Sequence, residues 1–226
     1  MILHIVGTPI GNLEDITLRA LRVLKESDMI VCEDTRITQK LLRHYGITNK
    51  RLISYNEKES GASAGRIIEL LGKGKNLSLV TDAGMPGISD PGAMLVREVR
   101  EKLSNEVKIE SIPGPSALTA ALSIAGVPAS EFLFFGFLPH KKGRETLFKE
   151  IAGAERVVVF YESPHRLMKA LESLKKFSPA KTVSVAKELT KIHENVIRGT
   201  AGEVLEYFAS NKDKIRGEFV VIVSPK

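Results

Sequence analysis

The chain has 226 residues, with 43% hydrophobic and 27% charged side chains and a single cysteine, Cys32. A polypeptide of this length buries roughly 70–75% of its unfolded surface, so it needs no disulfide framework or structural metal, and no apolar run approaches the ~18 residues that span a bilayer. The net charge of +6 is modest; it fits either a slightly basic surface or an anionic partner such as nucleic acid, and the placing of the cations decides between them.

The start, MILHIVGTPIG, has no basic leader and passes straight into strand-like sequence. That reads as a mature cytoplasmic start, and the lone cysteine fits a reducing compartment. Short β-branched runs then alternate with helical patterns, the mark of an α/β protein. Residues 2–6 read as a strand. Residues 18–25 carry a helical period, with Asp15 or Thr17 as N-cap. A strand over 29–32 leads to a helix over 37–45 that stops at Gly46. A short strand at 52–54, a helix at 64–71, a strand at 77–81, a helix at 93–103 and a strand at 107–112 follow. PGPSA at 113–117 comes next, with Pro115 in the first turn of a helix over 117–125.

The second half is richer in strand. Strands are expected at 132–135, 157–161, 182–186, 196–198 and 219–223, with helices at 144–151, 165–176 and 202–208. Their pairing is not fixed by pattern. The expected division is 1–114 and 115–226, two α/β subdomains without a flexible linker. No repeat or low-complexity segment occurs.

Several strands end in small and polar residues: GTPIGNLEDIT at 7–17, CEDTR at 32–36, TDAGMPGISDPG at 81–92 and PGPSA. In an open α/β sheet, ligands settle beyond the carboxyl ends of the strands. Glycines in the 81–92 loop let backbone approach a ligand, and prolines stiffen it. The loop has no Lys or Arg, and neither a P-loop nor a G-x-G-x-x-G pattern is present. Carboxylates and bare backbone suit ribose hydroxyls, an amino group or a cationic centre. S-adenosylmethionine has all three and no phosphate, although a tight turn serving only itself would use the same residues.

GTPIGNLEDIT, CEDTRIT (32–38), TDAGMPGISDPG, PGPSA, GFLPHKKGR (136–144), FYESPHR (160–166) and KELTKIHE (187–194) occur in this order. Together they resemble the 16S ribosomal RNA (cytidine-2′-O)-methyltransferases of the tetrapyrrole methylase superfamily, over nearly the whole chain. The resemblance implies two α/β subdomains with S-adenosylmethionine in the cleft between them, a homodimer, and a cytidine ribose in the decoding region of small-subunit ribosomal RNA as substrate. It further implies that Pro9, the loop 82–89 with Asp82, Gly84, Gly87, Ile88 and Ser89, and Ser116 and Ala117 line the cofactor. Leu138 and Leu189 would close it from the second half. Amides after Ser116, near a helix start, suit the cofactor's carboxylate. The C-terminal extension common in the family is not found after Val223.

Methyl transfer from a sulfonium is an in-line displacement that requires no metal, and the five histidines have no metal-ligand spacing. A general base would help a ribose hydroxyl attack. Candidates are Glu33, Asp34, Lys187 and Glu188. Lys187 acts as a base only if its surroundings favour the neutral amine, and otherwise as a positive anchor; Asp34 pairs equally well with Arg36. For RNA, Arg36, Lys40 and Arg43 share one helix face, while Lys141, Lys142 and Arg144 form a second cluster, joined by Arg166 and Lys191. With only 6% aromatic residues and no tryptophan, shape and phosphate contacts should outweigh base stacking. Two other readings are a small-molecule or protein methyltransferase of the same fold, and a non-catalytic RNA- or ribosome-binding module.

Overall fold

The computed structural model describes residues 1–56 and 60–225. They form two compact units, Met1–Ser116 and Ala117–Lys226. In the first unit, strands β1 (Ile2–Val6), β2 (Met29–Cys32), β3 (Arg51–Ser54), β4 (Leu77–Val80) and β5 (Lys108–Ile112) alternate with helices α1 (Leu18–Glu26), α2 (Thr35–His44), α3 (Ser60–Gly72) and α4 (Gly92–Leu103). Every neighbouring pair is parallel, in the order β3-β2-β4-β1-β5.

The two-residue period of a strand sorts these side chains onto two faces. Leu3, Ile5, Val31, Leu77 and Leu79 pack with Ala64, Ile67 and Leu71 of α3 and with Leu95 and Val99 of α4. Val6, Ile30, Cys32 and Val80 pack with Ala20, Val23 and Leu24 of α1 and Leu42 of α2. Right-handed crossovers explain the split. The path β1 to β2 to β3 runs one way across the sheet, and β3 to β4 to β5 runs back, so the helices fall on opposite faces. The chain therefore leaves β4 toward one face and leaves its neighbours β1 and β2 toward the other. A crevice opens at such a switch point.

Local signals set the ends. Of the two residues expected to cap α1, Thr17 does so: its hydroxyl accepts from the Ala20 amide at 3.0 Å. Helix α2 starts earlier than its periodicity suggests, because Asp34 caps it by accepting from the Arg36 amide at 2.8 Å. Gly46, at φ +64°, ends it as expected.

The second unit holds a mixed sheet, β6 (Phe132–Phe137), β7 (Val157–Glu162), β10 (Phe219–Val223), β8 (Thr182–Lys187) and β9 (Asn195–Thr200), in the order β6-β7-β10-β8-β9. Only β6 and β7 pair in parallel; the other pairs are antiparallel. Helices α5 (Ala117–Ile124), α6 (Arg144–Gly153), α7 (Pro164–Phe177) and α8 (Ala201–Ser210) complete it. Phe160, Val183, Val185, Phe219 and Val221 form a core with Phe148, Ile151, Leu167, Leu171 and Phe208. Helix α5 begins at Ala117, so Pro115 lies two residues ahead of it rather than in its first turn. Its carbonyl instead sits beside Gly84.

Candidate functional site

Because the first sheet is parallel throughout, the segments after β1, β2, β4 and β5 leave from one edge. Hydrogen bonds tie them together. Thr8 and Gly84 exchange backbone bonds of 3.0 and 3.1 Å, and the Thr8 hydroxyl donates to the Thr81 carbonyl at 3.1 Å. The Thr81 hydroxyl donates to the Glu33 carboxylate at 3.0 Å, and the Asp34 amide donates to Asp82 at 3.1 Å. Gly7 and Gly114 touch backbone to backbone: a Cβ built on Gly7 would lie 2.7 Å from the Gly114 Cα. Pro9, in the segment between, is buried.

The loop after β4 depends on left-handed backbone at Gly84 (φ +87°), Gly87 (φ +90°) and Ser89 (φ +67°). Asp90 holds it closed, accepting from the amides of Gly87 at 2.8 Å and Gly92 at 2.7 Å. Asp90 thus serves the loop and the start of α4. Asp82 is half-buried, while Ile88 and Ser89 are exposed. Burial pushes the Asp82 carboxyl above its ordinary value, and the charges of Glu33 and Asp34 add to this against the Asp34 amide. A partly buried carboxylate held among others is a site prepared for a cation or for hydrogen-bond donors.

The sign of the linkage follows. Folded Asp82 binds its proton more tightly than the unfolded chain does. Stability therefore falls as pH rises from the ordinary carboxylate value through the raised folded value, and the loss persists at neutral pH. Asp82→Asn keeps an acceptor for the Asp34 amide and removes the charge. The expected outcome is a higher urea midpoint than wild type at neutral pH, with the two converging in acid. A variant less stable at neutral pH would contradict the placement.

The other expected residues lie as follows. Asp34 grips Arg36 through both carboxylate oxygens, with a shortest contact of 2.6 Å. The Arg36 side chain and amide bonds hold its pKa at about 2, which makes it a weak proton acceptor. Glu188, in left-handed backbone at φ +50°, accepts from Lys191 at 2.8 Å and from the Glu218 amide at 3.0 Å. Burial works to raise its pKa, but these bonds and the Lys191 and Lys187 charges together lower it. Lys187 is nine-tenths buried. Ser116 ends the first unit; Ala117, Leu138 and Leu189 belong to the second, where Leu138 and Leu189 are buried.

The expected cations divide into two sets. Arg36, Lys40, Arg43, Lys141 and Lys142 are exposed. Arg144 and Arg166, expected as free phosphate contacts, instead close on the fully buried Glu162 at 2.9 and 2.8 Å. They also donate to the Pro139 carbonyl at 3.1 Å and the Leu138 carbonyl at 2.8 Å. Lys191 bridges Glu188 and Glu218 at 2.8 and 2.9 Å. Sequence reading missed the roles of Thr8, Thr81, Gly114 and Glu162. A glycine or threonine within two residues of a strand's end is the signal that points to the first three. Among the described residues no His, Cys, Asp or Glu cluster could hold a metal, and no helix is long and apolar enough to cross a membrane.

Residues 2–205 match the family model of tetrapyrrole (corrin/porphyrin) methylases. The chain is 46% identical over 224 residues to the "Ribosomal RNA small subunit methyltransferase I" of Thermotoga maritima, covering 99% of this chain and 98% of that one. It is 43% identical to the protein of the same name from Halalkalibacterium halodurans, over 98% of this chain and 75% of the relative. Among solved structures, diphthine synthase superposes with a TM-score of 0.76 at 17% identity, covering 100% of this chain and 90% of that one. The methyltransferase CobJ superposes at 0.71 with 18% identity, covering 99% and 93%. At these identities the two structures speak for the fold.

Proposed function

The chain belongs to the tetrapyrrole (corrin/porphyrin) methylase family, and from that premise we propose that it methylates a cytidine 2′-oxygen in the decoding region of 16S ribosomal RNA, using S-adenosylmethionine. The observation that carries this reading is the 46% identity, over 99% of the chain, to a relative named for small-subunit ribosomal RNA methylation. The strand-end crevice supports the cofactor. It offers Asp82, close-packed glycine backbone at Gly7, Gly84 and Gly114, and no basic side chain in the 81–92 loop. That donor set suits an amino group, ribose hydroxyls and a sulfonium, and it is wrong for a phosphate.

When bound, S-adenosylmethionine supplies a methyl group already activated on sulfur. Pro9, Asp82, Gly84, Gly87, Ile88 and Ser89 are proposed to hold it from the first unit. Ser116 would offer its carboxylate a place near the start of α5. The protein's main task is to bring the ribose oxygen into line, an orientation worth up to roughly 7–11 kcal/mol. Asp34 and Glu188, each held by a cation, serve in this reading to fix their own loops more than to accept a proton. Lys187 serves as a positive anchor. The place of action is the cytoplasmic ribosome, and the working form is proposed to be a homodimer.

The test is to incubate purified protein with methyl-labelled S-adenosylmethionine and small subunits from a strain lacking this modification, then map the label. One methylated cytidine ribose is expected; label on a base, or on protein alone, would overturn the assignment.

The exposed cations yield a second expectation. Arg36, Lys40 and Arg43 lie on one face of α2, and Lys141 and Lys142 precede α6. If each neutralises a phosphate, Lys40→Gln, Arg43→Gln and Lys142→Gln should each flatten the slope of log affinity against log salt by about 0.7 on single-stranded RNA. Filter binding across a salt series reads this directly. Unchanged slopes in all three would move the RNA path elsewhere.

A further inference from the structure

The second unit contains a cavity of about 460 Å³, lined among others by Lys187, His193, Glu194, Tyr207, Asp213, Lys214 and Arg216. In β8, Val183 and Val185 face the helical layer, so Lys187, two residues on, points the same way. The residue is 9% exposed, and among the described residues its side chain has no hydrogen bond and no close ion pair, although its charge acts on the neighbouring Glu188. A mostly buried lysine whose ammonium has no hydrogen-bonded anion is a favourable place for one to bind, because charge-assisted hydrogen bonds are the stronger kind.

The neighbouring charges show what would join it. Glu188 and Glu194 also line the cavity, but both are engaged: Glu188 by Lys191 and the Glu218 amide, Glu194 by the Thr190 amide at 2.5 Å. Lys214 donates to the Tyr207 hydroxyl at 2.9 Å. Arg216 is exposed at the rim, with no ion pair among the described residues. This leaves Lys187 within and Arg216 at the mouth as uncommitted cations, opposed by the exposed Asp213. A cavity of this volume accommodates a single nucleotide. The remaining carboxylates suit the hydroxyl and amino donors of a sugar and base.

We propose that this cavity takes one nucleotide of the substrate strand, with its phosphodiester on Lys187 and Arg216. The proposal rests on the ribosomal RNA reading above and adds to it a binding site within the second unit. It also gives Lys187 a definite task, to fix the strand while the target ribose is presented to the methyl donor.

The test compares wild type with Lys187→Met and Arg216→Gln. Methionine keeps the volume and apolar stem of Lys187, and Arg216 is exposed, so both variants should fold; a urea titration checks this. Binding is measured to an oligoribonucleotide of the decoding region, to cytidine 5′-monophosphate, and to S-adenosylmethionine. Lys187→Met should lower RNA affinity about tenfold or more and flatten the salt slope by about 0.7. Arg216→Gln should do the same more weakly. Affinity for S-adenosylmethionine should be unchanged in both. RNA affinities within twofold of wild type, with the wild type still methylating RNA, would overturn the cavity and leave the substrate reading intact. Lys187-dependent binding of cytidine 5′-monophosphate with RNA affinity unaffected would also overturn it, in favour of a free nucleotide. No methyl transfer by wild type to any RNA would remove the substrate reading and the proposal with it.

Discussion

Glu162→Leu is expected to destabilise the second unit by about 3–5 kcal/mol, the usual consequence of removing one partner from a buried charge cluster. The Glu162 side chain is fully buried, and the two arginines that meet it are 14% and 16% exposed. Its carboxylate accepts from Arg144 and from the Ser163 amide, each at 2.9 Å, and forms an ion pair with Arg166 at 2.8 Å. Leucine fills a similar volume but strands two guanidinium groups out of water. The effect should appear as a lower urea midpoint with an unchanged slope, since the surface exposed on unfolding is the same. Glu162→Gln retains an acceptor and should lose less.

A local consequence follows from where the arginines also reach. Each donates to a carbonyl of the segment after β6, Arg166 to Leu138 and Arg144 to Pro139. That segment is aimed by an irregularity between Phe134 and Phe137, where Gly136 takes φ +58°. A bulge of this kind redirects a strand end, and the arginines fix the redirected backbone. Amide exchange from Leu138 through Gly143 should therefore accelerate in Glu162→Gln even where global stability is nearly kept. Protection equal to wild type would show that the carbonyl bonds hold the segment without the carboxylate.

This cluster also marks where sequence reading ends. Arg144 and Arg166 look like parts of basic stretches, HKKGR and ESPHR, and nothing in linear spacing shows that both reach one carboxylate. The first sheet was far more legible. Its strands are short β-branched runs, each followed by a helical period, and parallel pairing with right-handed crossovers leaves few arrangements. The loops after β1, β2, β4 and β5 could be picked out because Gly, Pro and Asp interrupt apolar runs at strand ends. The second sheet was legible only as a set of strands. The last strand, β10, lies between β7 and β8, and its all-apolar sequence FVVIV is fully buried. Such a run reads as a central strand without naming its neighbours. Pro115 misled for a related reason: proline suits the first turn of a helix, but here it belongs to the strand-end crossing, beside Gly84.

The Gly7→Ala exchange should weaken S-adenosylmethionine binding by tenfold or more, through shape alone. Gly7 does not have a left-handed φ among the described residues, so alanine meets no backbone strain there. Its methyl group would instead lie 2.7 Å from the Gly114 Cα and 2.7 Å from the Met85 sulfur. Met85 can swing aside; the Gly114 backbone cannot without moving the segment after β5. Forcing a methyl group into a filled space costs typically 1–3 kcal/mol, and here relief requires the segments after β1 and β5 to part. Those segments frame the crevice in which Asp82 and Gly84 are proposed to meet the cofactor. Gly114→Ala, whose methyl would lie 2.9 Å from the Gly7 Cα, should reproduce the loss. Gly65→Ala provides the contrast. It lies within α3, and nothing comes within 4 Å of its added methyl, so it should raise stability by about 0.5–1 kcal/mol with unchanged binding. Calorimetry on the three variants separates the two kinds of glycine. Full cofactor affinity in both Gly7→Ala and Gly114→Ala would mean that this backbone crossing holds the sheet edge together without shaping the cofactor site.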